Sequence, residues 1–515
     1  MNRSRHLWGA VGAIALVTAA LTACGAGGDT PADNGGGQED AGTLHLYNFV
    51  EPTTWDPAGT AEGPFLPYAL AVYDSLLVLD TEGQVAPKLA TSWEYNEDLT
   101  ALTLELVEGV EFSDGAPFDG EAVKANIEHF QEYATPIGPV LEGVENVTVT
   151  DANTVVLELS APNPGLLTIL TTAAGLMGSP QALGTDGIAQ EPVGTGPYLL
   201  DTGRSVPGSQ YTFTRKDEYW DQHYPYSEVT YAVFPDETAR LNALKSGQID
   251  YAHTSTASAA RDAEGSGMTI QESAATWEGL FFFDRDGVML EPLKDKRVRE
   301  ALRMAIDVDA MIKTIRGGFG EPTTQIFAPH QDAYVPELDD AYPYDPERAR
   351  ELLEEAGYGD GFTIPFPRTG SILPEIYTAI TQYWGEIGIT TEDKQWAPGE
   401  ASRSIQAGDY SLVYFSNLQN LDAWAVVQLS VAPDAQYNPF HSETPELTAL
   451  IDTLQTSTEE TRAAAAQAVN TYLVDESWYG PMYRPALFYL TAPTVDLTVY
   501  AGYVQPPIWA FQPAS

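Results

Sequence analysis

The chain has 515 residues, which at roughly 150 residues per domain predicts two or three domains and excludes a small stapled fold. Apolar residues make up 43% and charged residues 19%, so a largely disordered chain and a multi-span membrane protein are both excluded. The 73 acidic and 25 basic residues leave a formal charge of −48, a field that repels phosphate backbones and excludes nucleic acid as the main partner.

Residues Met1–Leu7 carry Arg3 and Arg5 with no acid, and the 13 residues Trp8–Ala20 are apolar and small or branched. That is the pattern of a secretion signal, and it is well short of the roughly 20 residues a spanning helix needs. The next four residues, Leu21-Thr22-Ala23-Cys24, resemble the lipobox of bacterial lipoproteins, in which the cysteine is lipidated and the chain is cut just before it. The competing reading is a free cysteine near an ordinary cleavage site. Cys24 is the only cysteine, so the folded body can hold no disulfide, no cysteine metal cluster and no cysteine nucleophile. Cleavage there removes Arg3 and Arg5 and takes the charge from −48 to −50. Two acyl chains hold a protein to a membrane far better than one. Gly25–Gly42 is rich in glycine and small polar residues and reads as a flexible tether.

The body begins with a predicted strand at Leu44–Phe49, and a second alternating run follows at Leu102–Val107 before a turn at Asp114-Gly115. Asp119 reads as an N-cap to a helix with Val123, Ile127 and Phe130 on one face. Further on, a strand at Tyr231–Phe234 leads through Asp236 as N-cap to a helix at Glu237–Ser246. Leu241 and Leu244 face inward there, Gly247 supplies the left-handed stop, and Ile249–Ala252 resumes as a strand. Asp345-Pro346 opens another helix, with Ala349, Leu352, Leu353 and Ala356 as its stripe and Gly357 as its end. Glu375–Ile387, stopped by Gly388, and an Ala-rich helix opened by a Ser457/Glu460 capping box complete the series. Alternation of the two patterns predicts an α/β fold with mixed sheets.

Seven histidines are scattered with no i, i+4 pair and no cysteine partner, so metal-protease spacing is absent. Gly194-Thr195-Gly196 lacks the third glycine and the lysine of a phosphate loop and reads as a turn into a strand; no Gly-x-Ser-x-Gly elbow occurs. With 73 acids, any carboxylate pair chosen as a glycosidase dyad is most simply surface charge. No catalytic residue, metal ligand or cofactor is assigned. Trp55, Phe65, Trp277, Trp396 and Trp424 stand beside polar residues in loop-like places, where flat rings can grip amphipathic solutes or simply fill a core.

One ordered series of segments runs through the whole body. It comprises Asp56-Pro57, Tyr73–Leu76, Val85–Val123, PVGTGPYLL from Pro192, the stretch from Lys216 to Ala252, KDKRVREALRMAIDVDAMI from Lys294, and YDPERARELLEEAGYGDG from Tyr344. In this order it resembles the extracellular solute-binding proteins of family 5, the peptide/nickel-type receptors of ABC importers.

The resemblance implies a two-lobed periplasmic-binding-protein fold, a clam-shell of the class II kind with an extra subdomain in the first lobe. Its expected divisions are a signal peptide over 1–23, lipidated Cys24 and a tether over 24–42, lobe 1 over 43–277 with an inserted subdomain near 59–189, lobe 2 over 278–486, and a return to lobe 1 over 487–515. Crossovers are expected near Thr276–Phe283 and Pro485–Thr491, both apolar β-type runs. A monomer anchored on the outer face of the cell membrane would hold a solute between the lobes and pass it to separate permease subunits. The solute would be peptide-like, an oligosaccharide or a metallophore.

By the same resemblance, a first-lobe loop beside the ligand points to Glu62, Gly63 and Phe65, and a second-lobe loop to Asn417, Asn420, Asp422 and Trp424, with Trp277 as a further ring. Where peptide binders carry an Asp-Tyr-x-Asp-Pro pattern, this chain has Asn420, Leu421, Asp422 and Ala423, so only one acid remains to meet an ammonium. The competing reading of Asn420 and Asp422 is turn capping. Two other functions stand beside the importer receptor: a membrane-anchored hydrolase of glycans or peptides, and a receptor fold used in signalling without transport.

Overall fold

The computed structural model describes residues 41–60, 63–133, 140–370, 372–397, 400–419, 422–503 and 505–514. The proposed signal segment, Cys24, the tether, Glu62 and Asn420 lie outside them.

The expected elements form where local chemistry favours them. Asp119 accepts the Ala122 N–H at 3.0 Å and opens the helix Gly120–Glu132, whose Val123, Ile127 and Phe130 are all buried. Asp236 caps Glu237–Lys245 and Asp345 caps Pro346–Glu355 in the same way, with Gly247 and Gly357 at positive φ beyond their ends. The strands run at Thr43–Asn48, Ala101–Leu106, Glu228–Val233 and Tyr251–Thr254, within a few residues of the expected spans. One cap differs. The Ala-rich helix Glu459–Asp475 is opened by Thr458 paired with Thr461, while the Ser457 hydroxyl donates back to the Leu454 carbonyl and closes the helix before it. Adjacent hydroxyls at 456, 457 and 458 are equivalent caps on paper, and the end of the preceding helix decides among them.

The mixed α/β architecture is two-lobed, and four hydrophobic cores divide the chain cleanly. Two are built from buried residues between Leu44 and Ala263 together with Ala486–Phe511, and the other two from buried residues between Trp277 and Tyr483. In the first lobe a four-stranded sheet runs in the order 43–48, 228–233, 210–215, 198–200, with the first pair parallel and the rest antiparallel. A separate antiparallel sheet of 90–95, 101–106, 154–159 and 144–151, contacted by the helix Gly120–Glu132, carries the second core, which spans Ala58–Met177. Gly194 and Gly196 press on the backbone of Val72 and Tyr73, where a Cβ would fall 2.2 Å and 2.5 Å from main-chain atoms. Close packing explains that glycine pair.

The lobes are joined by strands that run on from one sheet into the next. Thr269–Ser273 lies in a first-lobe sheet beside Leu487–Thr491, and after Ala274-Ala275 the strand Thr276–Phe282 becomes an inner strand of the second-lobe sheet. The return passes from Gly480–Arg484 through Pro485-Ala486 into Leu487–Thr491. Beside the first crossing the register shifts between Glu278 and Gly279, and a Cβ on Gly279 would lie 2.3 Å from the Gly480 carbonyl. This bulge places the buried Glu278 carboxylate where it accepts from Arg316 Nη2 at 2.6 Å and from the Tyr414 and Tyr483 hydroxyls, each at 3.0 Å. Three strands of the second-lobe sheet are thereby tied together next to the hinge. Glu278→Ala leaves the Arg316 charge without its carboxylate, only the Tyr483 hydroxyl remaining, and is expected to cost about 3–5 kcal/mol. The measurement is the urea midpoint of the second-lobe transition, and an unchanged midpoint would show that the network carries no stability.

Candidate functional site

A cavity of about 90 Å³ lies between the lobes. The first lobe lines it with Gly83, Gln84, Pro164, Leu167 and Thr168, and the second with His330, Asp422, Trp424 and Arg462. The lobes touch beside it: Gln84 Nε2 donates to the His330 carbonyl at 3.2 Å, and Gln455 Nε2 donates to the Pro162 carbonyl at 3.2 Å. Gly165 approaches the second lobe closely, since a Cβ there would stand 2.9 Å from Trp424 Cδ1 and 3.2 Å from Asp422 Oδ2. Its turn is held by Asn163, whose Oδ1 accepts the Gly165 N–H at 3.1 Å and whose carbonyl accepts from the Tyr95 hydroxyl at 3.1 Å.

Asp422 has two roles in this site. Oδ1 accepts the Ala425 N–H at 2.8 Å and caps the helix Ala423–Ser430, while Oδ2 is shielded from water and has no partner within 3.5 Å in good geometry. Burial pushes its carboxyl above the usual carboxylate range, although hydrogen bonding from the Ala425 N–H, the Thr168 hydroxyl and the Trp424 N–H and the charge of Arg462 pull the other way. Arg462 Nε is likewise buried without a partner. Burial also holds His330 below the ordinary histidine value, which keeps its ring neutral near pH 7. Such an arrangement offers a carboxylate, a guanidinium and an indole to a small amphipathic guest.

The sequence-derived candidates are spread more widely. Asp422 and Trp424 meet at the cavity. Trp277 and Asn417 face each other across neighbouring strands, but Trp277 is buried in a second-lobe core, stacked on Phe281 at 4.5 Å, and Asn417 Nδ2 reaches Ser430 Oγ at 3.5 Å. Phe65 lines a separate small hollow with Trp55 and Tyr68, and Gly63 takes a positive φ of 72° in the preceding turn. Trp55 and Trp396 are buried among other rings and fill cores. Gly165, Thr168, His330 and Arg462 were not read from the sequence. The Asn163-Pro164-Gly165 run signals a turn and nothing more, and Arg462 sits in an Ala-rich helix with no local mark of function.

Among the described residues no three His, Cys, Asp or Glu side chains group as a metal site, and no helix is long and apolar enough to cross a membrane. Two lobes closing on a cavity define the class of solute-binding proteins. The sequence pattern of the bacterial extracellular solute-binding proteins, family 5 Middle, matches residues 84–438, and the chain belongs to that family. It is 30% identical over 371 residues to the glutathione-binding protein GsiB of Salmonella paratyphi A, a match covering 69% of each chain. NikA from Brucella suis, solved in complex with Fe(III)-EDTA, superposes with a TM-score of 0.78 at 25% identity over 92% of this chain and 99% of that one. The same fold occurs in the ABC transporter-associated periplasmic binding protein DppA from Helicobacter pylori, in complex with the peptide STSA. There the TM-score is 0.74 and the identity 20%, over 93% of this chain and 99% of that one. The family and these neighbours are binding proteins, not enzymes.

Gly165→Val would drive a side chain into Trp424 and is expected to hold the lobes apart. Solution scattering should give a larger radius of gyration than wild type, and Trp424→Ala in the same chain should restore it. A single variant as compact as wild type would mean that this contact does not govern closure.

Proposed function

We propose that this protein is the lipid-anchored extracytoplasmic receptor of an ABC importer, capturing an oligopeptide or similar small solute between its lobes and delivering it to a membrane permease. The observation that carries this reading is the Asp422 carboxylate at the inter-lobe cavity, with one oxygen capping a helix and the other lacking a partner. Closing the lobes over a buried carboxylate with one unpartnered oxygen is costly, and a guest with an ammonium, N–H or O–H donor lowers that cost. The solute therefore favours the closed form, which is the condition for binding to shift the lobes at all. A micromolar receptor needs about −8 kcal/mol, within reach of a largely dry cleft with a few fixed polar groups. The peptide and glutathione named for two of the relatives both carry such donors, which is consistent with the peptide-like class. Cys24 would be the anchor, with the glycine-rich segment after it holding the body near the membrane.

The test is scattering and native mass spectrometry of the body with peptides, glutathione and cell-derived solutes. One class is expected to co-purify and to reduce the radius; if no solute binds or compacts the protein, the receptor reading falls. For the anchor, Cys24→Ala is expected to move the protein out of the membrane fraction. Unchanged membrane association would remove lipidation from the account.

A further inference from the structure

A second cavity, of about 230 Å³, lies at the hinge beside the Ala274-Ala275 crossing, with Gln419 and Arg484 of the second lobe among its walls. His330 and Gly502 line both this chamber and the cleft cavity, so the histidine stands between the two. Its ring meets the first lobe there. A Cβ on Gly83 would fall 3.0 Å from His330 Cδ2 and 3.2 Å from the Ala501 Cβ, and Gln84 Nε2 donates to the His330 carbonyl at 3.2 Å. The turn that carries Gly83 is a fixed seat for the ring. Gly83 donates its N–H to the Asp80 carbonyl at 3.1 Å, Asp80 Oδ1 accepts the Glu82 and Gln84 N–H groups at 2.8 Å and 2.9 Å, and Ala501 N–H ties the turn to the return segment through the Thr81 carbonyl at 3.3 Å.

Histidine is the side chain whose ordinary value places its charge change between about pH 5 and 8, and the surroundings of this ring decide what a proton does. The loss of water opposes the charged form most, a hydrogen bond from the ring to the Gln419 main chain favours it, and the Arg484 charge opposes it. The Gln419 N–H is already given to the Ala275 carbonyl at 3.0 Å, so the Gln419 carbonyl is the acceptor. Gln419 and Arg484 belong to the second lobe and travel with His330. What closure adds is therefore the covering of the ring by Gly83, Ala501 and Gly502. The other charged groups nearby do not offset this. Asp80 is committed to its own turn, Glu82, Glu321 and Asp332 are exposed to water, and Asp422 caps its helix with Arg462 beside it.

We propose that His330 is a pH-sensitive latch between the lobes: its neutral ring seats against the Gly83 turn and permits closure, and a proton on the ring favours the open form, where water reaches it. Closure then releases a proton. The closed form holds its full advantage above the ordinary histidine value of about 6.5 and loses it as the pH falls through that value; one proton limits the change in the open–closed equilibrium at about pH 5.5 to about tenfold. Asp422 works in the opposite sense, because covering a carboxylate raises its proton affinity and closure over it takes a proton up. Joined to the receptor reading, the latch makes acid outside the cell loosen the grip on a captured solute.

The experiment needs no solute, so its failure leaves the receptor reading standing. Solution scattering is recorded at about pH 7.5 and about pH 5.5 for the purified protein and for His330→Gln, whose side chain is polar but carries no charge. Wild type is expected to show the larger radius of gyration at the lower pH, and His330→Gln the same radius at both. No change in wild type, or an equal change in both proteins, overturns the latch, and the equal change assigns the response to carboxylates such as Asp422. Titration of the histidine rings by nuclear magnetic resonance tests the latch without that variant. His253 is the internal reference, since burial first and the Arg240 charge second push it down to about 3, and its neighbours Tyr47 and Tyr251 lie with it in the first lobe. Gly165→Val, which holds the lobes apart, is expected to move His330 up toward the ordinary value and to leave His253 in place. A His330 titration point that is the same in Gly165→Val and wild type overturns the proposal.

Discussion

Two crossings of two residues each, Ala274-Ala275 and Pro485-Ala486, join the halves of this molecule, and both run directly from a strand of one sheet into a strand of another. Strands so connected cannot slide far past each other without breaking their ladders, so the motion left to the lobes is rotation about the crossings. Everything else in the site depends on that restriction. The bulge at Glu278 and Gly279 and the carboxylate network beside it stiffen the second-lobe end of the hinge. Leu487–Thr491, paired on both edges by Tyr251–Thr254 and Thr269–Ser273, stiffens the first-lobe end.

Closure around such a hinge brings groups together that have no reason to meet otherwise. Asp422 and Trp424 come from a helix start in the second lobe, and Gly165 comes from a turn in the first-lobe subdomain. They approach so closely that only a residue without a Cβ fits between. Two buried carboxylates inside the lobes are well supplied with donors. Asp74, buried in the first lobe, accepts from Thr195, Tyr219 and Trp220 at 2.7–2.9 Å, and Glu278 is equally well supplied. Buried side-chain atoms without a partner occur on residues that line the two chambers, such as Asp422 and Gln419, and equally inside the lobes, as at the Tyr251 hydroxyl, Arg285 Nε and Arg303 Nε.

Much of the local structure was legible because it rests on short-range chemistry. Asp119, Asp236 and Asp345 each precede an apolar stripe of helical period, and each caps its helix through a bond to a backbone N–H two or three positions into it. The ring-bearing residues were harder. Trp55, Trp277, Trp396 and Trp424 stand in similar local settings, yet the first three fill cores and only Trp424 reaches the cavity. A tryptophan serves either purpose equally well, and the strand facing it decides which. Trp277 is committed by Phe281, two positions along the same face of its strand, while Trp424 is directed toward the other lobe by the helix that Asp422 caps.

By itself, the sequence determined the α/β character, the helix caps, the order of segments that marks the family and the candidacy of the Asn417–Trp424 loop, since each depends on residues near one another in the chain or on their order along it. Only the tertiary structure decided that Asp422 both caps a helix and borders the cleft, that His330 and Arg462 line it too while Gly165 packs against Asp422 and Trp424, and that Gln419 and Arg484 line a chamber at the hinge. Those pairings span separations of tens to hundreds of residues and are set by where two strands cross between lobes, a geometry to which no local periodicity or composition is sensitive.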